Sequence, residues 1–276
     1  MEEGVAHRAI HRLQSGEWTL QKDQVAIEAP LIIDIVADLQ SSRWLSMLRT
    51  PGHDVALVTG LMNSEDILIG CRPVDAVVTL SEGKAEILLP QGCSFNISAR
   101  GRMNSGAACG ICGRKDFSDL IERLHVCSVE RLEVDVELLL TLPDKMMQVQ
   151  SGFTSTGGIH AAALFSSQGE LLVNMEDIGR HNAVDKVIGH CIGENIDSSA
   201  GIICLSGRIG SELVLKAAAA MIPVIVAIGA ASSMAIDLAR GAGISLYGFT
   251  RNGNTVSYNN TQGLILKSDN RKQIRE

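Results

Sequence analysis

The tightest constraint on the fold is a rhythm in the last third of the chain. Gly201–Leu205, Pro223–Ile228 and Ser245–Phe249 are short apolar runs of strand length. Ser211–Ala220 and Ser232–Arg240, between them, have helical length and composition. A βαβαβ order predicts parallel strands joined by right-handed crossovers. Strands apolar at nearly every position predict a sheet covered on both faces. Ala217–Ile236 carries no charge over about 20 residues, the length of a membrane span. Pro223, Gly229, Ser232 and Ser233 interrupt it, so it reads as a buried helix–strand–helix.

Upstream, Ala161–Phe165 and Leu171–Asn174 read as two strands joined by Ser166–Glu170. Arg180–Cys191 fits a helix, with Val184, Val187, Ile188 and Cys191 on one face. The N-terminal half is more mixed. Val25–Ala29 and Leu31–Val36 read as strands around Pro30, Thr50-Pro51-Gly52 as a turn, and Asp54–Leu61 as a short helix. Ala76–Leu80 and Lys84–Leu89 flank Ser81-Glu82-Gly83 as a hairpin. Phe95–Ala99 reads as a further strand, and Ser118–Val126 and Val129–Leu140 as helices. Pro143 is expected to end this half. The expected division is a smaller mixed domain over 1–145, a second domain over 146–267, and a charged tail over 268–276.

The chain has 276 residues, with 24 Lys+Arg against 31 Asp+Glu for a net charge of −7. A hydrophobic fraction of 46% supplies a full core, and 3% aromatics makes that core aliphatic. An acidic chain poor in aromatics points away from nucleic acid as a partner. The first residues hold acidic groups and no apolar stretch, so no secretory signal is expected. Seven cysteines, an odd and sparse set, suggest a cytoplasmic protein with reduced thiols.

Gly101–Gly113 has neither helical nor strand period and holds four glycines, so the segment about 101–115 reads as a mobile loop. It contains Cys109-Gly110-Ile111-Cys112, a C-x-x-C. Four readings stand beside one another. A structural zinc site wants four ligands, and only one pair is present. A thioredoxin-like pair should follow a strand and open a helix. A nucleophilic or sulfur-carrying thiol wants nearby positive charge, which Arg100, Arg102, Arg114 and Lys115 provide. A structural loop with incidental cysteines is the plainest.

Gly157-Gly158-Ile159-His160-Ala161-Ala162 invites comparison with zinc deaminases, H-x-E…P-C-x-x-C. The acid/base Glu is replaced by Ala162, Ala108 replaces the Pro, and the cysteines lie upstream, so deaminase chemistry is excluded. Glu176–Lys186 (EDIGRHNAVDK) is a polar cluster before a helix. Asp177 is expected to cap that helix, and His181 and Asp185, one turn apart, to face each other. Ser206-Gly207-Arg208, Gly229–Ser233 and Thr250–Asn254 all follow strands of the βαβαβ unit. Ligands bind at that carboxyl edge. Arg208 and Arg251 offer guanidinium forks for phosphate. No G-x-G-x-x-G or Walker motif is present.

These segments, with Thr50-Pro51-Gly52, Lys216 and Gly248-Phe249-Thr250-Arg251, resemble the FdhD family, the formate dehydrogenase accessory sulfurtransferases, over about Pro30–Tyr258. The resemblance implies an α+β chain whose C-terminal α/β half is a cytidine-deaminase-like three-layer domain. It implies a homodimer that takes persulfide sulfur from a cysteine desulfurase onto the C-x-x-C loop. The sulfur then passes to the molybdenum or tungsten of a bis(molybdopterin guanine dinucleotide) cofactor destined for formate dehydrogenase. Two loops depart from the family pattern: Gly229–Ser232, where Ala-Pro-Thr is usual, and Ile209–Glu212, which usually carries an aromatic.

The expected sulfur carriers are Cys109 and Cys112. The expected cofactor-binding residues are Phe249, Thr250, Arg251, Asn252, Gly253, Asn254, Arg208, His160, Arg180 and His181, with GDP as a surrogate ligand and no bound metal. Two alternatives are a cofactor-binding chaperone without sulfur transfer and a zinc-stabilised interaction protein.

Overall fold

The computed structural model describes residues 4–37, 40–96, 126, 132, 134–261 and 264–265. Its strands are β1 Val5–Gln14, β2 Glu17–Ala26, β3 Ala29–Ala37, β4 Gln40–Arg49, β5 Leu68–Ile69, β6 Val77–Ser81, β7 Lys84–Leu88 and β8 Ser94–Phe95. They continue with β9 Val134–Asp135, β10 His160–Ser166, β11 Leu171–Asp177, β12 Gly201–Leu205, β13 Val224–Ala227, β14 Ser245–Arg251, β15 Asn254–Asn259 and β16 Leu264–Ile265. The helices are α1 Asp54–Glu65, α2 Val136–Gln148, α3 Ser151–Thr156, α4 Arg180–Gly193, α5 Ser211–Ala219 and α6 Ser233–Ala242.

The expected βαβαβ unit is present. β12, β13 and β14 pair in parallel at the centre of a six-stranded sheet of order β11-β10-β12-β13-β14-β15. The outer strands pair antiparallel, β10 against both β11 and β12, and β15 against β14. Every residue of β12 and β13 is buried, because helices cover both faces. On one face α4, α5 and α6 bring Val184, Leu213 and Leu238 against Leu164, Ile203 and Leu246. On the other, α2 sets Leu139, Leu142 and Met146 on Phe165, Ile202 and Val226. The result is three layers within a mixed α+β chain. Among the described residues no helix is long and apolar enough to cross a membrane.

Several expectations are corrected here. Pro143 does not end the first half; it lies inside α2, which runs on to Gln148. An interior proline costs a helix about 3 kcal/mol. Burial of Leu139, Leu142 and Met146 at 0% exposure outweighs that cost. The expected Val129–Leu140 helix begins only at Val136, where Asp135 caps it by accepting from the Glu137 N–H. β8 covers Ser94–Phe95 alone, and residues 97–99 lie outside the described set, as do 118–125 and the loop 101–115 with Cys109 and Cys112. β1 and β2 form a ten-pair antiparallel ribbon; of the expected Val25–Ala29 strand only Val25 and Ala26 belong to β2, while Ala29 opens β3, and β1, the rest of β2 and β4 carry no strand expectation from the sequence. Cys71 and Cys93 are paired in a disulfide beside the β5–β8 pair, against the expectation of reduced thiols throughout.

The N-terminal sheet has order β4-β3-β7-β6, and the β6–β7 hairpin turns where the sequence placed it. Its apolar face (Leu31, Ile33, Ile35, Ile87) packs on Leu57, Val58 and Leu61 of α1. The other side of α1 lies directly on α4, because both helices carry glycine at the crossing. A Cβ on Gly60 would sit 1.9 Å from the Asp185 carbonyl oxygen, and one on Gly189 would sit 1.8 Å from the Ala56 oxygen. This backbone-to-backbone contact holds the N-terminal half against the six-stranded sheet.

Candidate functional site

The EDIGRHNAVDK segment spans the end of β11 and the start of α4, and its residues divide into two groups. Asp177, fully buried, accepts from the Thr50 N–H (3.1 Å), the Gly179 N–H (2.9 Å) and Asn182 Nδ2 (2.9 Å), and pairs with Lys186 Nζ at 2.8 Å. Lys186 Nζ also donates to the carbonyls of Thr50 and Glu176. Thr50 Oγ1 accepts from the Ile178 N–H, and Asn182 donates to the Leu48 carbonyl. Asp177 therefore does not cap α4, whose N-cap is Gly179. It locks the β11–α4 corner onto Leu48–Thr50. The two buried charges are compensated by these donors and acceptors, the condition under which such a pair persists.

Asp185 does not face His181. It is held by Lys216 Nζ, at 2.8 Å from both carboxylate oxygens, and by Ser64 Oγ at 2.8 Å. Burial pushes its pKa above the ordinary carboxylate value, with Lys216 and Ser64 only partly offsetting it. His181 Nε2 instead lies 2.7 Å from Glu212 Oε2. Glu212 stands in the first turn of α5.

The second group lines the carboxyl edge of the parallel strands. Three turns are laced there by backbone bonds. Gly229 N–H donates to the Gly207 carbonyl (3.2 Å), Phe249 N–H to the Gly229 carbonyl (3.1 Å), and Ile209 N–H to the Ala230 carbonyl (2.9 Å). Glycine is required at Gly229, where a Cβ would come within 2.7 Å of the Gly207 oxygen. In the Gly229–Ser232 loop Ser232 caps α6 by accepting from the Ala235 N–H.

A cavity of about 480 Å3 opens beside this edge, lined by His160 and Ser206, by Met147 in the last turn of α2, by Gln150 at the N-cap of α3, by Gly158, and by Ile228. Glu176 helps shape it by accepting from the N–H groups of Gly152 and Phe153 at 2.8 Å, which fixes the start of α3. Burial, and then the positive Arg180 and His181, lower the His160 pKa. A neutral imidazole is thereby favoured at the cavity wall. Arg180 lies behind the same turn: a Cβ on Gly207 would be 3.4 Å from His160 Nδ1 and 4.0 Å from Arg180 Cδ. The Arg180 Nε is buried with no hydrogen-bond partner among the described residues.

The segment Phe249–Asn254 is not a loop after the last strand. It is the tip of the β14–β15 hairpin, with Asn252 and Gly253 at positive φ. Arg251, Asn252, Gly253 and Asn254 are exposed there, and Phe249 is 43% exposed. Thr250 is turned inward at 0% exposure, its Oγ1 against Thr255 Oγ1 at 2.8 Å, so its side chain does not face a ligand. Arg208 is exposed on the neighbouring turn. The structure thus places His160 at the cavity, Arg180 beside the Gly207 turn next to it, and Arg208 on that same turn, which backbone bonds join to the base of the hairpin. Gln150 was not singled out by the sequence, because a lone glutamine at a helix end has no signature.

A profile of the FdhD/NarQ family matches residues 26–265. The chain belongs to the FdhD/NarQ family. A relative from Thermoplasma volcanium, named sulfur carrier protein FdhD, is 39% identical over 270 residues, covering 95% of this chain and 96% of the relative. One from Sulfolobus acidocaldarius with the same name is 38% identical over 258 residues, covering 93% and 97%. A solved structure, a putative formate dehydrogenase accessory protein from Desulfotalea psychrophila, superposes with a TM-score of 0.69 at 20% identity. It covers 92% of this chain and 96% of that one, and supports the fold.

Proposed function

We propose that this member of the FdhD/NarQ family is a cytoplasmic sulfur carrier that serves formate dehydrogenase. It takes sulfur from a cysteine desulfurase and delivers it to a bis(molybdopterin guanine dinucleotide) cofactor of molybdenum or tungsten. The observation that carries this reading is the state of the other cysteines. Cys191 is buried and its thiol is pushed up to about 11; Cys204 is buried and pushed up further. Neither is a thiolate at neutral pH. Cys71 and Cys93 are tied to each other. That leaves Cys109, Cys112 and Cys127, and of these the C-x-x-C pair is the one that Arg100, Arg102, Arg114 and Lys115 bracket in sequence.

The Cys109 thiolate attacks the terminal sulfur of the donor's persulfide. The donor cysteine leaves as thiolate, and Cys109 carries the persulfide. Cys112 assists as a second acceptor or by resolving the first. The substrate's anionic ends meet Arg208 and Arg251 at the carboxyl edge, with Phe249, Asn252, Gly253 and Asn254 beside them, while His160 and Arg180 face its centre. The outer end of the β1–β2 ribbon, where Leu13, Trp18 and Leu20 are more than half exposed, supports a homodimer.

Reconstituted activation of formate dehydrogenase tests the reading. Cys109→Ala should bind GDP as the unaltered protein does and fail to activate the enzyme. Full activation by Cys109→Ala would leave a cofactor-binding chaperone in its place.

A further inference from the structure

The cavity beside the sheet edge carries an inference that rests on the cofactor reading above and adds a contact to it. Gln150 is 4% exposed and lines the cavity, yet its Nε2 has no hydrogen-bond partner among the described residues. A buried amide donor left unsatisfied destabilises a fold, so the unliganded protein gains nothing from it. Gly158 is a second, separate anomaly on the same wall. It is not at positive φ, and a Cβ there would meet nothing closer than the Thr156 oxygen at 3.9 Å. Neither backbone conformation nor packing asks for glycine at this position. Both residues make sense if something else occupies the space.

We infer that the cavity is a slot for one flat heteroaromatic ring of the substrate, with Gln150 donating to a carbonyl or ring-nitrogen acceptor and the Gly157-Gly158 backbone forming the floor. The other walls suit such a ring. Met147, Phe153 and Ile228 are apolar, and the volume of about 480 Å3 lies within the range of small-molecule sites. The neutral imidazole of His160 adds a polar group without adding charge. The chemistry that fits is the 2-amino-4-oxopyrimidine ring, whose lactam oxygen and unprotonated ring nitrogen are acceptors. Pterin and guanine share it, and the experiment separates them.

Carboxypterin, followed by its fluorescence, and GDP, followed by calorimetry, are titrated into the unaltered protein, Gln150→Leu and Gly158→Leu. Melting temperatures are measured without ligand. The inference predicts that one probe loses about tenfold or more in affinity in both variants. The unliganded variants should melt no lower than the parent, and Gln150→Leu should melt higher. The probe that shows the loss identifies the ring. If every probe that the unaltered protein binds is bound equally by all three proteins, the slot is wrong and the cofactor reading stands. A drop in the unliganded melting temperature of both variants makes Gln150 and Gly158 structural and overturns the slot. If the unaltered protein binds neither probe, the slot and the cofactor reading fall together.

Discussion

Replacing Lys216 with Met separates a structural role from a chemical one for a residue of the family motifs. Lys216 is 7% exposed and Asp185 1% exposed, and its ammonium lies 2.8 Å from both oxygens of that carboxylate. Methionine keeps most of the stem and removes the charge. Among the described residues, Ser64 is then the side-chain donor left to Asp185. Removing one partner of a buried pair costs about 3–5 kcal/mol. At about 2–4 °C per kcal/mol for a chain of this size, the melting temperature should fall by about 6–20 °C. Urea unfolding gives the free energy directly, and the double variant Asp185→Asn/Lys216→Met should recover much of the loss. The pH dependence supplies the sign. Burial raises the Asp185 pKa above its ordinary 3.8. Stability from that group is therefore full below the ordinary value and lost as pH rises through the raised one. Without Lys216 the raised value climbs further. The deficit of Lys216→Met should be largest at pH 7 and shrink as pH falls toward about 4. A deficit below about 1 kcal/mol, or one that does not change with pH, would refute the assignment of this pair as buried and mutually dependent.

Gly189→Ala should be among the most damaging single changes, because its methyl would lie 1.8 Å from the Ala56 carbonyl oxygen and the backbones of α1 and α4 would have to part. A loss at or above the upper end of about 1–3 kcal/mol is expected in urea unfolding, and a neutral outcome would mean the helices do not cross there. His160 has a lowered pKa, so its contribution to stability is complete above its ordinary 6.5 and is lost as pH falls toward the folded value. Melting curves between pH 7 and 5 should show a shallower acid decline for His160→Gln than for the parent. Arg251→Ala should keep its fold and bind GDP about 10- to 150-fold more weakly at low salt, with the gap narrowing as salt rises. Equal affinities would move the phosphate contact away from the β14–β15 hairpin.

The central sheet was legible because β12, β13 and β14 are apolar almost throughout and sit between clear turns. The ligand edge was legible for the same reason, since strand order fixes where the carboxyl ends lie. The β1–β2 ribbon was not, because its strands are largely exposed and carry no core period. The EDIGRHNAVDK segment stood out as special, but its roles did not. The partners of Asp177, Asn182 and Lys186 lie 127 to 136 residues upstream on Leu48 and Thr50. The expected His181–Asp185 contact failed because each side chain found a stronger distant partner, Glu212 and Lys216. Thr250 was assigned to the ligand from its neighbours, yet strand alternation in β14 turns it inward. Cys71 and Cys93, 22 residues apart, give no local sign that the chain brings them together.

The most direct test of sulfur carriage is to incubate the protein with a cysteine desulfurase and sulfur-labelled cysteine. Label bound to the protein is then located by non-reducing peptide mass spectrometry. The account predicts label on the peptide containing Cys109 and Cys112. It predicts none in Cys109→Ala, and retention at that peptide in Cys191→Ala and Cys204→Ala. Label retained undiminished in Cys109→Ala, or found on Cys191 or Cys204, would contradict it.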